Sequence, residues 1–154
     1  MVSQKLILEP GSIFAVAALR TQYAFAEVRL DERVYIIDGA GRSGVALSFT
    51  LSAAGFDPLF YPRLSLFLAH ATETPPACIL VDVDGPGDGG LETLYGLRAG
   101  GISWPVIAVS ATDDPGVAAR ALSAGADDFV AAPFAAGDLV QVIRSAASLL
   151  ESAR

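Results

Sequence analysis

The sequence predicts an α/β fold, in which helices cover both faces of a parallel, doubly wound sheet. Short apolar runs recur along the chain, as expected of strands that are buried on both faces. Helical patterns separate these runs, and several runs end on an acidic or hydroxyl residue. Five such strand–helix units in series favour parallel strands, because parallel neighbours need a crossover connection between them.

Composition limits the classes of function. The chain has 154 residues, 53% of them hydrophobic, which is enough for one sizeable core. Its formal net charge of −7 argues against nucleic acid as a direct partner, because phosphate contacts need clustered lysine and arginine. No apolar run reaches the length of a membrane span. We therefore expect a cytoplasmic protein with no nucleic-acid or membrane partner.

Each predicted element has a local signal. Gly55 is expected to end the first predicted helix and Gly125 the fourth, and Pro58 suits a strand at or near an edge of the sheet. Cys78, the only cysteine, falls inside a buried run and is expected to be a core thiol. The predicted strands are 34–37, 56–61, 77–81, 105–109 and 128–131; the predicted helices are 42–54, 62–71, one that opens near Gly89, 114–124 and 137–150.

The first 32 residues form a separate extension in this prediction, and residues 33–154 form the main domain. An apolar helix is expected over residues 12–25. We expect it to pack on the domain or on a second copy, which makes a homodimer possible. A secretory signal is the weaker alternative: residues 24–26 resemble a cleavage site, but Arg20 and earlier residues interrupt the required order.

Polar side chains end three of the predicted strands. Asp38 ends the first, Asp82 the third and Ser110 the fourth, while Asp84 follows two residues after Asp82. In open α/β sheets, ligand and catalytic groups lie at the carboxyl ends of the strands. We therefore expect Asp38, Asp82 and Ser110 to cluster at one edge of the sheet.

Three segments, in this order, resemble the receiver domain of two-component response regulators over about residues 33–152. They are Leu80-Val-Asp82 with Pro86 and Gly90-Leu-Glu92, then the run from Trp104 to Ala111, and Gly125-Ala-Asp-Asp-Phe129 followed by Pro133-Phe134. The resemblance implies a flavodoxin-like sheet in the order 2-1-3-4-5. It also implies a role in signal transduction rather than as an enzyme, with a histidine kinase, a phosphotransfer protein or another signalling protein as partner.

The resemblance also implies roles for individual residues. Asp82 matches the aspartate that accepts phosphate, Ser110 the hydroxyl that hydrogen-bonds the phosphoryl group, and Phe129 the aromatic residue that swings inward on activation. Asp38, Asp82 and Asp84 would form a weak Mg²⁺ site. In the family, Mg²⁺ and a lysine neutralise the charge that builds up when a carboxylate attacks a phosphoryl donor.

Two positions depart from the family pattern. Gly39 stands where the family has a second acidic residue, and Ala132 stands where it has a lysine. Arg42 is the nearest basic residue in sequence to the first acidic turn, although a solvated helix position suits it better. One metal ligand and the fixed cation are therefore missing.

The sequence leaves two main functions open. The preferred one is an atypical, single-domain receiver that signals by binding proteins, with phosphorylation of Asp82 weak or absent. The alternative is a functional phosphoacceptor that uses Asp82 and Mg²⁺ in a phosphorelay. A flavin-binding domain is a third, weaker possibility. Dinucleotide binding is disfavoured, because Asp38 would repel a pyrophosphate at the glycine-containing turn that follows it.

Overall fold

Five strands and five helices alternate along the chain. The computed structural model describes residues 32–39, 44–84, 89–132 and 134–152. The elements are β1 (Arg33–Ile37), α1 (Gly44–Ala53), β2 (Asp57–Tyr61), α2 (Leu64–Ala71), β3 (Cys78–Asp82), α3 (Gly89–Ala99), β4 (Val106–Ser110), α4 (Pro115–Ser123), β5 (Asp128–Ala131) and α5 (Ala136–Ser152). The predicted helix over residues 12–25 lies outside the described residues, as does Arg42.

The strands form one parallel sheet in the order β2-β1-β3-β4-β5. This confirms the predicted fold class and strand order. Strand β2, which contains Pro58, lies at one edge as expected, where it pairs only with β1. The central strand β3 pairs with β1 on one side and with β4 on the other.

The core has two halves because successive side chains of each strand point to opposite faces of the sheet. On one face, Tyr35, Ile79 and Val81 pack with buried side chains of α2, α3 and α4. On the other, Ile36 and Leu80 pack with α1 and α5. Burial of each large apolar side chain contributes about 1.5–3 kcal/mol. The central strands are buried on both faces, which explains why they appear in the sequence as continuous apolar runs.

An aromatic cluster lies in the half of the core that α2, α3 and α4 cover. The ring of Phe67 lies 5.5 Å from that of Tyr35 and 5.8 Å from that of Trp104. The Tyr35 hydroxyl donates to the carbonyl of Pro75 at 2.9 Å, so its polar end is satisfied inside the core. The contact with the Phe67 ring gives Trp104 a packing role.

Helix α1 exposes part of its apolar surface. Leu47 and Leu51 are buried, whereas Val45 is 62% exposed and Phe49 is 74% exposed. Residues four apart share one face of a helix, so the leucines face the sheet and the other pair faces solvent. In the part of the chain that the structure describes, no helix combines the length and hydropathy needed to span a membrane.

Candidate functional site

The strand register brings three predicted site residues to the same edge of the sheet. Asp38 follows Ile37, which pairs with Val81, the residue before Asp82. Asp82 pairs in turn with Val109, the residue before Ser110. Asp38, Asp82 and Ser110 therefore end three adjacent strands at the carboxyl edge, as the sequence predicted.

Asp38 lies buried beneath the start of α1. Its Oδ2 atom accepts a hydrogen bond from the backbone N–H of Gly44, the first residue of that helix, at 2.9 Å. Only 1% of the Asp38 residue is exposed. The partial positive charge of a helix N-terminus stabilises a carboxylate at this place.

Asp82 is held by the turn that follows β3. Its Oδ1 atom accepts the backbone N–H of Asp84 at 2.6 Å. Helix α3 begins close to this strand end: a Cβ atom at Gly90 would lie 2.4 Å from the Cα of Val83 and 2.7 Å from the carbonyl oxygen of Asp82. A side chain does not fit there, so glycine is what allows the helix to start against the strand.

The side chain of Asp84 reaches across to the end of β4. Its Oδ1 accepts the Ser110 hydroxyl at 2.7 Å, and its Oδ2 accepts the backbone N–H of Ala111. The Ser110 hydroxyl also accepts the backbone N–H of Thr112 at 3.1 Å. The sequence placed Asp84 near the site but gave no sign of this contact, because the direction of a turn side chain is set by the neighbouring strand.

A cavity of about 290 Å³ lies beside the carboxylates. Its walls are mainly apolar, and no basic side chain of the described residues lines it. The lining residues are Ala46, Leu47, Thr50, Asp82, Asp84, Val109, Ser110, Ala111, Ala132 and Phe134. Ala132 is thus at the position that the family resemblance assigns to a lysine, and its side chain is too short to bring a charge to Asp82.

Phe129 lies on β5, where it pairs with Ala108 of β4. Its side chain is half-buried and packs against the half of the core covered by α2, α3 and α4. Phe129 does not line the cavity. Its assignment as the switching aromatic residue stays a prediction.

The carboxylates offer the oxygen donors that Mg²⁺ prefers, but their arrangement does not fit the ion well. Both oxygens of Asp84 accept hydrogen bonds from the end of β4, and Gly39 has no side chain to contribute. Among the residues that the structure describes, no three histidine, cysteine, aspartate or glutamate side chains are placed to hold a metal. The weak Mg²⁺ site at Asp38, Asp82 and Asp84 stays a prediction.

A second group of acidic residues, Asp127 and Asp128, lies at the opposite end of the sheet. Asp127 precedes β5, and its Oδ2 accepts hydrogen bonds from Arg98 and from the backbone N–H of Val106, both at 2.9 Å. Asp128 accepts the N–H of its neighbour Phe129. These residues fix the start of two strands, and they take no part in the candidate site.

Comparison with known families gives one match that spans most of the chain. The model of the response regulator receiver domain matches residues 34–144. In the solved structure described as the crystal structure of FixJ-N, the fold superimposes with a TM-score of 0.67 at 28% sequence identity. That alignment covers 75% of this chain and 93% of the other.

Curated relatives include two transcriptional regulatory proteins. KdpE of Mycobacterium tuberculosis is 34% identical over 113 residues, which are 73% of this chain and 50% of KdpE. FixJ of Bradyrhizobium diazoefficiens is 30% identical over 120 residues, which are 78% of this chain and 58% of FixJ. The chain thus spans about half the length of the curated relatives it matches.

Proposed function

Because the chain belongs to the response regulator receiver family, we propose that it acts in two-component signalling as an atypical receiver that signals mainly by binding other proteins. Receiver domains of this family take part in signal transduction and interact with histidine kinases and other signalling proteins. In this proposal, phosphoryl transfer to Asp82 is slow or absent. The partner is a histidine kinase, a phosphotransfer protein or another signalling protein, and the location is the cytoplasm.

The observation that carries this proposal is the alanine at position 132. Ala132 lines the cavity beside Asp82, and no basic side chain of the described residues lines it with Ala132. A phosphoryl group on Asp82 would add negative charge next to Asp84 and Asp38. Without a lysine at position 132, the group would lack a charged hydrogen bond that is typically worth about 1.5–3 kcal/mol.

The metal side of the site is weakened in the same way. Gly39 provides no second carboxylate next to Asp38, and the Asp84 carboxylate is engaged by Ser110 and Ala111. Mg²⁺ binding is therefore proposed to be weak. Charge neutralisation is reduced on both sides of Asp82, which slows attack by its carboxylate on a phosphoryl donor.

The proposed binding surface is the face formed by α4, β5 and α5. Leu122 of α4 is 49% exposed, and Phe129 of the edge strand β5 is half-buried. The acidic composition of the chain favours a partner with a basic surface. Binding through this face would not need phosphate on Asp82.

The test is phosphorylation in solution. The purified chain is incubated with acetyl phosphate and Mg²⁺, and its intact mass is measured over time. We expect little added phosphate in the wild type and none in Asp82→Asn, which keeps the shape of the side chain but removes the nucleophilic carboxylate. Stoichiometric labelling of the wild type at Asp82 would refute this proposal.

The second candidate is a functional phosphoacceptor, and one observation favours it. Asp82 and Ser110 end neighbouring strands at the carboxyl edge, which is where a phosphoryl group and its hydroxyl donor need to meet. A cognate histidine kinase that labels Asp82 and thereby changes the affinity for a partner would establish this function. Unchanged partner binding by Asp82→Asn and Asp82→Ala would instead support the binding receiver.

A further inference from the structure

We propose that the Asp84 carboxylate acts as a built-in oxyanion, occupying the two hydrogen-bond donors at the end of β4 that a phosphoryl group on Asp82 would otherwise use. The inference rests on the proposed function only in taking the carboxyl edge around Asp82 as the receiver site. It adds a second cause of weak phosphorylation, which is independent of the missing lysine.

The geometry matches that of a bound anion. The Ser110 hydroxyl and the Ala111 N–H donate to different oxygens of the same carboxylate, so the two donors together hold one oxyanion. Carboxylate and phosphoryl oxygens are both strong acceptors of such charge-assisted hydrogen bonds. Ser110 is only 2% exposed, so water has little access to replace Asp84 as the acceptor of its hydroxyl.

The position of Asp84 relative to Asp82 is also fixed. The backbone N–H of Asp84 donates to Oδ1 of Asp82 at 2.6 Å, while its side chain bonds to Ser110. The built-in anion is therefore tied directly to the predicted phosphoacceptor. An incoming phosphoryl group would need the same donors, and its charge would repel the Asp84 carboxylate.

The contact also holds the segment that follows β4. Thr112 donates its backbone N–H to the Ser110 hydroxyl, which Asp84 orients in turn. Residues 111–115 are otherwise exposed. Asp84 thus holds residues 111–115 against the site when Asp82 carries no phosphate. A partner protein would therefore contact this segment in one arrangement, with the Asp84 carboxylate bound to it.

The chemical step that Asp84 obstructs is simple to write. A carboxylate oxygen of Asp82 attacks the phosphorus of acetyl phosphate, a P–O bond forms, and acetate leaves with the electron pair of the broken P–O bond. The product is an acyl phosphate on Asp82, whose oxygens need donors. Removing the Asp84 side chain releases the Ser110 hydroxyl and the Ala111 N–H for them.

The experiment separates the two obstacles. Four variants are compared with acetyl phosphate and Mg²⁺ by intact mass: Ala132→Lys, the double variant Ala132→Lys/Asp84→Ala, the matched control Ala132→Lys/Asp114→Ala, and the double variant with Asp82→Asn added. Asp114 is a good control because it also lies near the end of β4 and accepts a backbone N–H, that of Gly116, away from the site. Both alanine substitutions remove the same charge.

We expect the Asp84→Ala double variant to be labelled about tenfold faster or more than Ala132→Lys, because one charged hydrogen bond corresponds to at least that factor. The Asp114 control should match Ala132→Lys, and the Asp82→Asn variant should stay unlabelled. Equal rates for the double variant and Ala132→Lys would overturn the inference. Absence of labelling in the double variant would overturn it too, because freed donors would then not open the site.

A structural measurement tests the contact without any phosphorylation. The Ala111 amide hydrogen should exchange with solvent about tenfold faster in Asp84→Ala than in the wild type, since its acceptor is lost. The Gly116 amide should be unchanged. Equal exchange at Ala111 would contradict the inference. Rapid labelling of the wild type would instead refute the proposed function, and this exchange comparison would still decide the role of Asp84.

Discussion

The two ends of the sheet differ in the charged side chains that they carry. At the amino end, the guanidinium of Arg98 donates to the carbonyls of Gly125, Ile102 and Trp104 and to the Asp127 carboxylate. At the carboxyl end, Asp38 and Asp82 lie at the ends of neighbouring strands and Asp84 follows two residues after Asp82, and no basic side chain of the described residues lines the cavity beside Asp82 and Asp84.

The difference separates charges that join elements of the fold from acidic side chains gathered at the predicted site. Around Arg98, each charge meets an opposite charge or a backbone dipole, and α3 is joined to the start of β5. At the carboxyl end, the three carboxylates accept hydrogen bonds from backbone N–H groups and from one hydroxyl.

The largest expected effect is at the amino end. Arg98→Ala removes five hydrogen bonds and leaves the carbonyls of Ile102, Trp104 and Gly125 without this donor. We expect the free energy of unfolding in urea to fall by about 2–4 kcal/mol. The control is Arg120→Ala on the exposed surface of α4, expected to change it by less than about 0.5 kcal/mol. Similar losses for both variants would contradict a special role for Arg98.

A pH effect of intermediate size is expected at Cys78, at the start of β3. Burial raises the pKa of the Cys78 thiol, and the negative charge of Asp127 raises it further. The unfolded chain releases this proton above about pH 8.5, whereas the folded chain keeps it. The unfolded state then binds fewer protons, so stability falls as the pH rises, by up to about 1.4 kcal/mol per pH unit.

Urea titrations of the wild type and of Cys78→Ala between pH 7 and 9.5 check this. The alanine variant loses stability overall, because a buried side chain becomes smaller. Its stability should nevertheless change less with pH than that of the wild type, since the titrating thiol is gone. Parallel pH profiles for the two proteins would show that Cys78 does not contribute.

The smallest effect on stability is expected for Gly39→Asp, which restores a second carboxylate. A Cβ atom at Gly39 would have the carbonyl oxygen of Pro62 as its nearest neighbour, at 3.8 Å, so a side chain fits. We expect stability to change by less than about 0.5 kcal/mol. Affinity for Mg²⁺, measured by calorimetry, should rise about tenfold relative to Gly39→Asn. Equal affinities would show that Gly39 does not limit metal binding.

Sequence patterns predicted the sheet well because its central strands are buried on both faces. The continuous apolar runs of β1, β3 and β4 identify these segments as buried strands. Strand β5 was predicted with the bounds that the structure gives. The buried face of helix α1 was harder to predict, because its apolar residues lie on both the buried and the exposed face. Only the structure shows that Leu47 and Leu51 face the core while Val45 and Phe49 face solvent.

The placement of the site was also predictable, but its internal contacts were not. The ends of the strands identify Asp38, Asp82 and Ser110 as neighbours. The contact from Asp84 to Ser110 depends on how the irregular residues after β3 turn towards β4, and residue identity does not encode that direction. The sequence therefore indicated a metal-ligand role for Asp84 and did not indicate this contact.

The strand order has a consequence for how the protein folds. None of the paired strands can form a hairpin, since all are parallel and each connection runs through a crossover. The chain must therefore lose the entropy of each connecting segment before the strand pairings become favourable, and this slows folding. Strand β1 gains its second partner only with β3, and Ser110 meets Asp84 only once β4 has joined. The contact between these two residues can consequently form only after β4 has paired with β3, and its appearance would mark the completion of the centre of the sheet.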